Sequence, residues 1–172
     1  MNHSRMEVRT FDALAAKVER VRAGIVAIDG CPLAGKSTVC VQICERLGIV
    51  GLELDDYLVP DRGEYVNALR TNEVLRALQE AHSRTSLVLL DGVCMRAILE
   101  VLDITADLLV YVQPISHSGV LGNLEMLDAE NGKFPDPTTA YFFNELDREV
   151  FAYHSAYQPF SRADLVYYRI DE

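Results

Sequence analysis

The sequence is short of positive charge: 16 lysines and arginines stand against 26 aspartates and glutamates, a formal net charge of −10. A general nucleic-acid or anionic-membrane binder carries a basic footprint, so this balance argues against both. It leaves room for a phosphorylated ligand, because a local site can be positive on an acidic protein. No apolar run approaches the roughly 18–20 residues that a membrane-spanning helix needs. The opening residues, Met1-Asn2-His3-Ser4-Arg5-Met6-Glu7, lead into a mixed charged segment and lack the apolar stretch of a secretion signal. A cytoplasmic location is therefore expected. Cysteine is scarce as well: Cys31, Cys40, Cys44 and Cys94 make no C-x-x-C pair, and a chain of this size needs no disulfide staples. Cys40 and Cys44 would share one face of a helix, but they lack the further ligands of a zinc site. Reduced, buried thiols are the expectation.

What the chain does have is apolar material, 49% of its 172 residues. That fits one globular domain over residues 1–172. Runs of strand length lie at residues 24–29, 49–54, 86–92, 107–112 and 163–168, the fourth stopped by Pro114. Helical patterns lie at residues 11–21, 36–47, 72–82, 93–102 and 138–157, the last with Thr138 as N-cap and Pro159 as its stop. Near-continuous apolar runs suit strands buried on both faces, and their alternation with helices predicts an open parallel α/β sheet covered on both sides. Residues 115–137 are rich in glycine, proline and polar residues and read as a mobile, lid-like loop.

One motif carries chemistry outright. Gly30-Cys31-Pro32-Leu33-Ala34-Gly35-Lys36-Ser37-Thr38 matches G-x-x-x-x-G-K-[ST] in full. It follows an apolar strand and opens an amphipathic helix, as its mechanics require. Its glycines let the loop bend until successive backbone N–H groups face one anion. Lys36 supplies charge to the β- and γ-phosphates, the Ser37 hydroxyl is placed for Mg2+, and the helix adds its N-terminal dipole. The expected ligand is ATP with Mg2+.

In an open α/β sheet, ligands bind at the carboxyl ends of the strands. Asp29, the pair Asp55 and Asp56, and Asp91 all fall at such ends. Asp91 suits the role of holding Mg2+, directly or through water. Asp55 suits the acceptance of a proton from a substrate hydroxyl, and Asp56 the support of the metal or the substrate. Strand-end aspartates also cap turns and helices, and that plainer role stands beside the functional one.

Several segments together carry a family resemblance: residues 30–38, Leu54-Asp55-Asp56-Tyr57, Asp91-Gly92, and Tyr153-His154-Ser155-Ala156-Tyr157-Gln158-Pro159 before Ala163-Asp164-Leu165-Val166. They resemble the uridine kinase/phosphoribulokinase-like group of P-loop kinases, nicotinamide riboside kinases included. The resemblance implies a three-layer fold with a five-stranded parallel sheet in the order 2-3-1-4-5. It implies transfer of a phosphoryl group from Mg-ATP to a hydroxyl of a small, often nucleoside-like, acceptor. On it, Asp55 is the general base, Lys36 and Ser37 handle phosphates and Mg2+, and residues 57–82 form the acceptor side. Tyr57 and Tyr65 would be stacking surfaces there or, equally, packing residues at its rim.

Two departures bear on activity. The group has Glu-Gly where this chain has Asp91-Gly92, and its lid carries arginines that neutralise the transferring phosphoryl group. Residues 115–137 contain no arginine, only His117 and Lys133. Arg148 and Arg162 come later and suit surface ion pairs as well as a substitute role, while His117 and His154 read as ordinary polar or packing residues. The rival reading is a nucleotide-binding regulator without transfer activity. A GTPase switch is discounted, since no N-K-x-D motif is present.

Overall fold

The computed structural model of the protein describes residues 5–60 and 62–170. In chain order its elements are β1 (Met6–Val8), α1 (Phe11–Glu19), β2 (Gly24–Asp29), α2 (Lys36–Leu47), β3 (Val50–Glu53), a 3-10 turn (Leu54–Tyr57), α3 (Thr71–Arg84), β4 (Leu87–Asp91), α4 (Met95–Leu102), β5 (Leu108–Ile115), α5 (Leu124–Glu130), α6 (Pro137–Phe142), α7 (Glu145–Tyr157) and β6 (Leu165–Ile170). All strand pairings are parallel.

Alternation along the central strands explains the layering. Val26 and Ile28 of β2 join Leu87 and Leu89 of β4 in a core completed by Leu14 and Val18 of α1 and by Val39 and Ile43 of α2. The intervening Ala27, Val88 and Leu90 face a second core built with Val74 and Leu78 of α3, Ile98 of α4 and Val150 of α7. Successive side chains of a strand point to opposite faces, so one apolar run feeds both cores and the sheet is sandwiched between helices.

The five-stranded sheet of order 2-3-1-4-5 is corrected: among the described residues the sheet has six strands, in the order β1-β6-β5-β2-β4-β3. The addition lies at one edge, where β1 pairs with β6 through Met6↔Leu165, Glu7↔Val166 and Val8↔Tyr167. Three residues with one buried side chain give no readable period, and it is the open edge of β6 that draws them into the ladder.

Three further expectations change. The fourth strand does not stop before Pro114 but runs through it to Ile115. Its pairing with β2 ends at Tyr111, and the Pro114 carbonyl accepts from the Gly122 N–H at 2.9 Å on the side away from β6. The missing proline N–H thus points where no ladder partner is needed. The single helix over 138–157 is two. Asp136, not Thr138, caps α6, and Asn144 begins α7 with a capping box to Asp147. Finally, the loop over 115–137 encloses α5, whose Met126, Ala129 and Glu130 are buried.

Candidate functional site

The residues following β2 turn sharply under backbone constraint. Gly30 has φ 150° and Gly35 φ 83°, and Leu33 adopts φ 62°. A Cβ on Gly30 would fall 2.8 Å from the Val112 carbonyl oxygen, so the loop can run this close to β5 only as glycine. Gly35 leads directly into α2, which has no side-chain cap and no acidic residue in its first turn. Its leading N–H groups are left to an external acceptor, and the dipole favours an anion. Thr38 lines the cavity in front of this loop, with Pro32 and the fully exposed Leu33.

Beneath the loop the side chains hold its shape. Gly30 N–H donates to Asp29 Oδ1 at 2.8 Å, and the Tyr153 hydroxyl donates to Asp29 Oδ2. Burial raises the Asp29 pKa, while these hydrogen bonds oppose the rise. Cys31 and Ala34 are buried, with Cys31 Sγ 3.5 Å from the Tyr111 hydroxyl and 3.8 Å from His154 Nε2. Lys36, itself buried, donates from Nζ to the Cys31 carbonyl at 2.8 Å. Burial lowers its pKa, and the charge of Asp29 works against that. An ammonium has three protons, so one bond to the loop leaves others to give.

Ser37 begins the oxygen-rich part of the site. Its Oγ lies 2.7 Å from Glu53 Oε1 and 2.9 Å from Asp91 Oδ2. Burial lifts Asp91 to a pKa of about 6; the Ser37 hydrogen bond pulls it down and the Glu53 charge adds to the rise. One hydroxyl and two carboxylates are hard oxygen donors of the kind that suit Mg2+. Asp56 joins them around an adjoining cavity of about 290 Å³ that Cys40 and Cys44 also line. Among the described residues no group of three or more His, Cys, Asp or Glu could hold a metal ion alone.

The residues expected on an acceptor side separate. Asp55, exposed on the 3-10 turn after β3, lines a cavity of about 410 Å³ together with Lys36, Ser37, Asp91 and Tyr65. Tyr65 is buried and donates from its hydroxyl to Asp55 Oδ1 at 2.5 Å. Burial and the Asp55 carboxylate push the Tyr65 pKa up, which keeps the phenol a donor. Glu149 of α7 fixes this tyrosine by accepting from Tyr65 N–H at 2.5 Å and Val66 N–H at 3.0 Å. Tyr57 instead packs against the core on the α3 side, and its carbonyl accepts from Arg70.

Sequence reasoning missed three participants. Glu53 falls inside the strand-length run over 49–54, and only the register Glu53↔Asp91 between β3 and β4 shows why it reaches Ser37. Arg169 lies near the carboxyl end of β6, where the strand-end rule that singled out Asp29 would also have pointed. Its guanidinium rests on Gly35, 2.7 Å from where a Cβ would be. The third is the buried pair of Glu130 and His154, 3.0 Å apart, where the sequence suggested an ordinary histidine. Arg148 and Arg162 do not line the cavity of Lys36 and Asp55.

No protein-family model matches the sequence, and no curated protein matches it. Among solved structures, a possible uridine kinase from Bacillus stearothermophilus is similar over 91% of this chain and 96% of that one, with a TM-score of 0.56 and 18% identity. A "putative fructose transport system kinase" from Silicibacter sp. TM1040 aligns over 92% of this chain and 99% of that one, with a TM-score of 0.49 and 14% identity. The resemblance to the uridine kinase-like group of P-loop kinases holds at the level of the fold, a three-layer α/β architecture on a parallel sheet.

Proposed function

We propose that the protein is an ATP-dependent small-molecule kinase that passes the γ-phosphoryl group of Mg-ATP to a hydroxyl of a small, nucleoside-like acceptor. The observation that carries the reading is the shared cavity: Asp55, oriented by Tyr65, faces the same space as Lys36 and Ser37. A phosphate-binding loop and a carboxylate base on one cavity are the two halves of phosphoryl transfer.

In this reading the N–H groups from Gly35 onward and the Lys36 ammonium hold the β- and γ-phosphates. Ser37 and Asp91 hold Mg2+, with Glu53 and Asp56 beside them. Mg2+, when bound, offsets the charge on the β- and γ-phosphate oxygens. Asp55 takes the proton of the acceptor hydroxyl as its oxygen bonds to the γ-phosphorus and the bond to the ADP oxygen breaks. Tyr65, through its hydrogen bond, keeps that carboxylate turned toward the acceptor. The cavity of about 410 Å³ suits a small acceptor.

A second reading is a nucleotide-binding regulator that transfers nothing. It draws on the absence of arginine from residues 115–137, since arginine on the transferring group is a large catalytic term. Measuring ADP release from Mg-ATP across nucleosides, vitamins, sugars and aminoglycosides separates the two, beside Asp55→Asn. Acceptor-dependent release that Asp55→Asn abolishes supports the kinase. Tight ATP binding with a flat panel supports the regulator.

A further inference from the structure

We infer that the cavity between α4 and α7 is a second ligand site, fitted to a small apolar α-amino acid, and that its occupancy bears on the loop of residues 30–38; the second half of the inference rests on the proposed binding of ATP there.

This cavity has a volume of about 470 Å³ and shares no lining residue with that of Lys36 and Asp55. Its floor is apolar: Leu99 is buried, and Ile104 and Leu109 pack against the second core. Four charged residues, Arg96, Glu100, Asp103 and Arg162, stand about that floor. On α4, Arg96 and Glu100 have the spacing that pairs opposite charges, yet each turns to a neutral partner. Arg96 Nη2 donates to the Arg162 carbonyl, and Glu100 Oε2 accepts from the Tyr157 hydroxyl at 2.7 Å. Among the described residues none of the four charges has an ion-pair partner.

That arrangement selects the ligand. A singly charged molecule satisfies one pair of charges and leaves the other unanswered, whereas a zwitterion satisfies both. Arg96 lies in the first turn of α4, and Glu100 and Asp103 follow about 6 and 10 Å along its axis. A guanidinium fork suits a carboxylate, and Glu100 keeps acceptor capacity beyond its one hydrogen bond. An α-amino acid carries a carboxylate, an ammonium and a side chain on one carbon, matching the arginines, the carboxylates and the apolar floor. Two lining residues also touch the tyrosine that holds Asp29. The Tyr157 ring packs on that of Tyr153 with centroids 5.2 Å apart, and Arg96 N–H donates to the Tyr153 hydroxyl at 3.1 Å. That hydroxyl donates to Asp29 Oδ2, and Asp29 accepts from Gly30 N–H. A ligand that fixes Arg96 and Tyr157 therefore fixes Tyr153 and the start of the loop, leaving less ordering for ATP to impose. The coupling is positive and reciprocal: each ligand tightens the other by the same factor.

The test is calorimetric titration of L-leucine and L-phenylalanine into the wild-type protein, Arg96→Gln and Arg162→Gln, with thermal melting of each to check folding. Beside them run the analogues without the ammonium, 4-methylpentanoate and 3-phenylpropanoate, and those without the carboxylate, 3-methylbutylamine and 2-phenylethylamine. At least one amino acid is expected to bind the wild type with a Kd below about 1 mM. Its two analogues, and the amino acid itself on either variant, should bind at least about tenfold more weakly. No binding of either amino acid at about 10 mM to folded wild type overturns the site. An analogue that binds as tightly as its parent overturns the zwitterionic ligand, and undiminished binding to both folded variants overturns the placement. Mg-ATP is then titrated with the amino acid at saturation, where a gain of at least about fivefold in affinity is expected. An unchanged Mg-ATP affinity overturns the link to the loop alone. A protein that binds the amino acid but no Mg-ATP overturns the nucleotide reading and that link, and establishes the second site without them.

Discussion

Glu130 and His154 form a buried ion pair, Oε1 to Nδ1 at 3.0 Å, that ties the end of α5 to α7 beside the loop of residues 30–38. Glu130 also accepts from the N–H groups of Phe160 and Ser161 at 2.8 and 2.9 Å. The other His154 nitrogen faces the Tyr111 hydroxyl at 3.3 Å and Cys31 Sγ at 3.8 Å. Removing either partner breaks a buried, hydrogen-bonded pair, a loss of about 3–5 kcal/mol. Glu130→Gln should therefore lower the melting midpoint by roughly 6–20 °C at 2–4 °C per kcal/mol. A calorimetric scan in which the midpoint moves by less than a degree or two would sink this assignment.

The same pair gives a pH dependence of definite sign. Burial alone would lower the His154 pKa, but hydrogen bonds with Cys31 and Glu130 and the charge of Glu130 outweigh it and raise the value from 6.5 to about 9. Tyr111, Tyr153 and Asp29 complete the groups about the ring. The folded state thus holds the proton more tightly than the unfolded chain. Stability from this source is full below pH 6.5 and fades as pH rises through about 9. Its ceiling is about 3 kcal/mol, from 1.36 kcal/mol per unit. Melting midpoints from pH 6 to 9.5 should fall in the wild type and stay flatter in Glu130→Gln, and parallel curves would count against the pair as their source.

Glu53 should matter to the metal more than to the nucleotide. It sits 2.7 Å from Ser37 Oγ and acts on Asp91 through its charge. Residues that orient metal ligands typically change affinity by about 10- to 100-fold when replaced. Glu53→Gln is expected to cut the gain in ATP affinity produced by Mg2+ by about tenfold. Binding in excess chelator should stay within about twofold. Equal losses with and without Mg2+ would place Glu53 in the loop's structure instead.

What was legible in the sequence was whatever local chemistry announces. The loop over 30–38 could be read because its glycines, lysine and hydroxyl sit within nine consecutive residues. The central strands could be read because burial on both faces removes polar interruptions. Glu53, Arg169 and the Glu130–His154 pair could not, since each acts across strand register or between helices distant in the chain. Ser37 meets Glu53 across 16 positions of the sequence, and Gly35 meets Arg169 across most of its length. β1 escaped because three residues hold no period, and the break at Asn144 because its capping box lies inside an otherwise helical pattern.

Gly30 tests the backbone argument directly. Its φ of 150° and the 2.8 Å approach of a Cβ to the Val112 carbonyl oxygen set strain against backbone that cannot swing aside. Gly30→Ala should cost about 1–3 kcal/mol of stability. It should also weaken Mg-ATP binding at least tenfold, because shifting the loop by a fraction of an ångström misaligns several N–H donors together. Normal ATP affinity in this variant would show that the loop conformation is not what binds.

The last prediction separates the chemistry from the binding. Asp55 and Tyr65 meet at 2.5 Å on the cavity that Lys36 also lines, and neither belongs to the loop of residues 30–38. A general base in phosphoryl transfer contributes about 10²–10⁴-fold to the rate. Asp55→Asn should therefore lose that much acceptor-dependent ADP release while its affinity for Mg-ATP stays within about twofold. Tyr65→Phe keeps the carboxylate but removes the hydroxyl that orients it, so a smaller fall in kcat, about tenfold, is expected with the KM for ATP unchanged. The ordering is the discriminating feature. If Tyr65→Phe were the more damaging variant, or if Asp55→Asn weakened ATP binding as much as turnover, Asp55 would be serving the nucleotide or the fold. Single-turnover ADP formation beside equilibrium ATP binding on the same two variants measures both quantities.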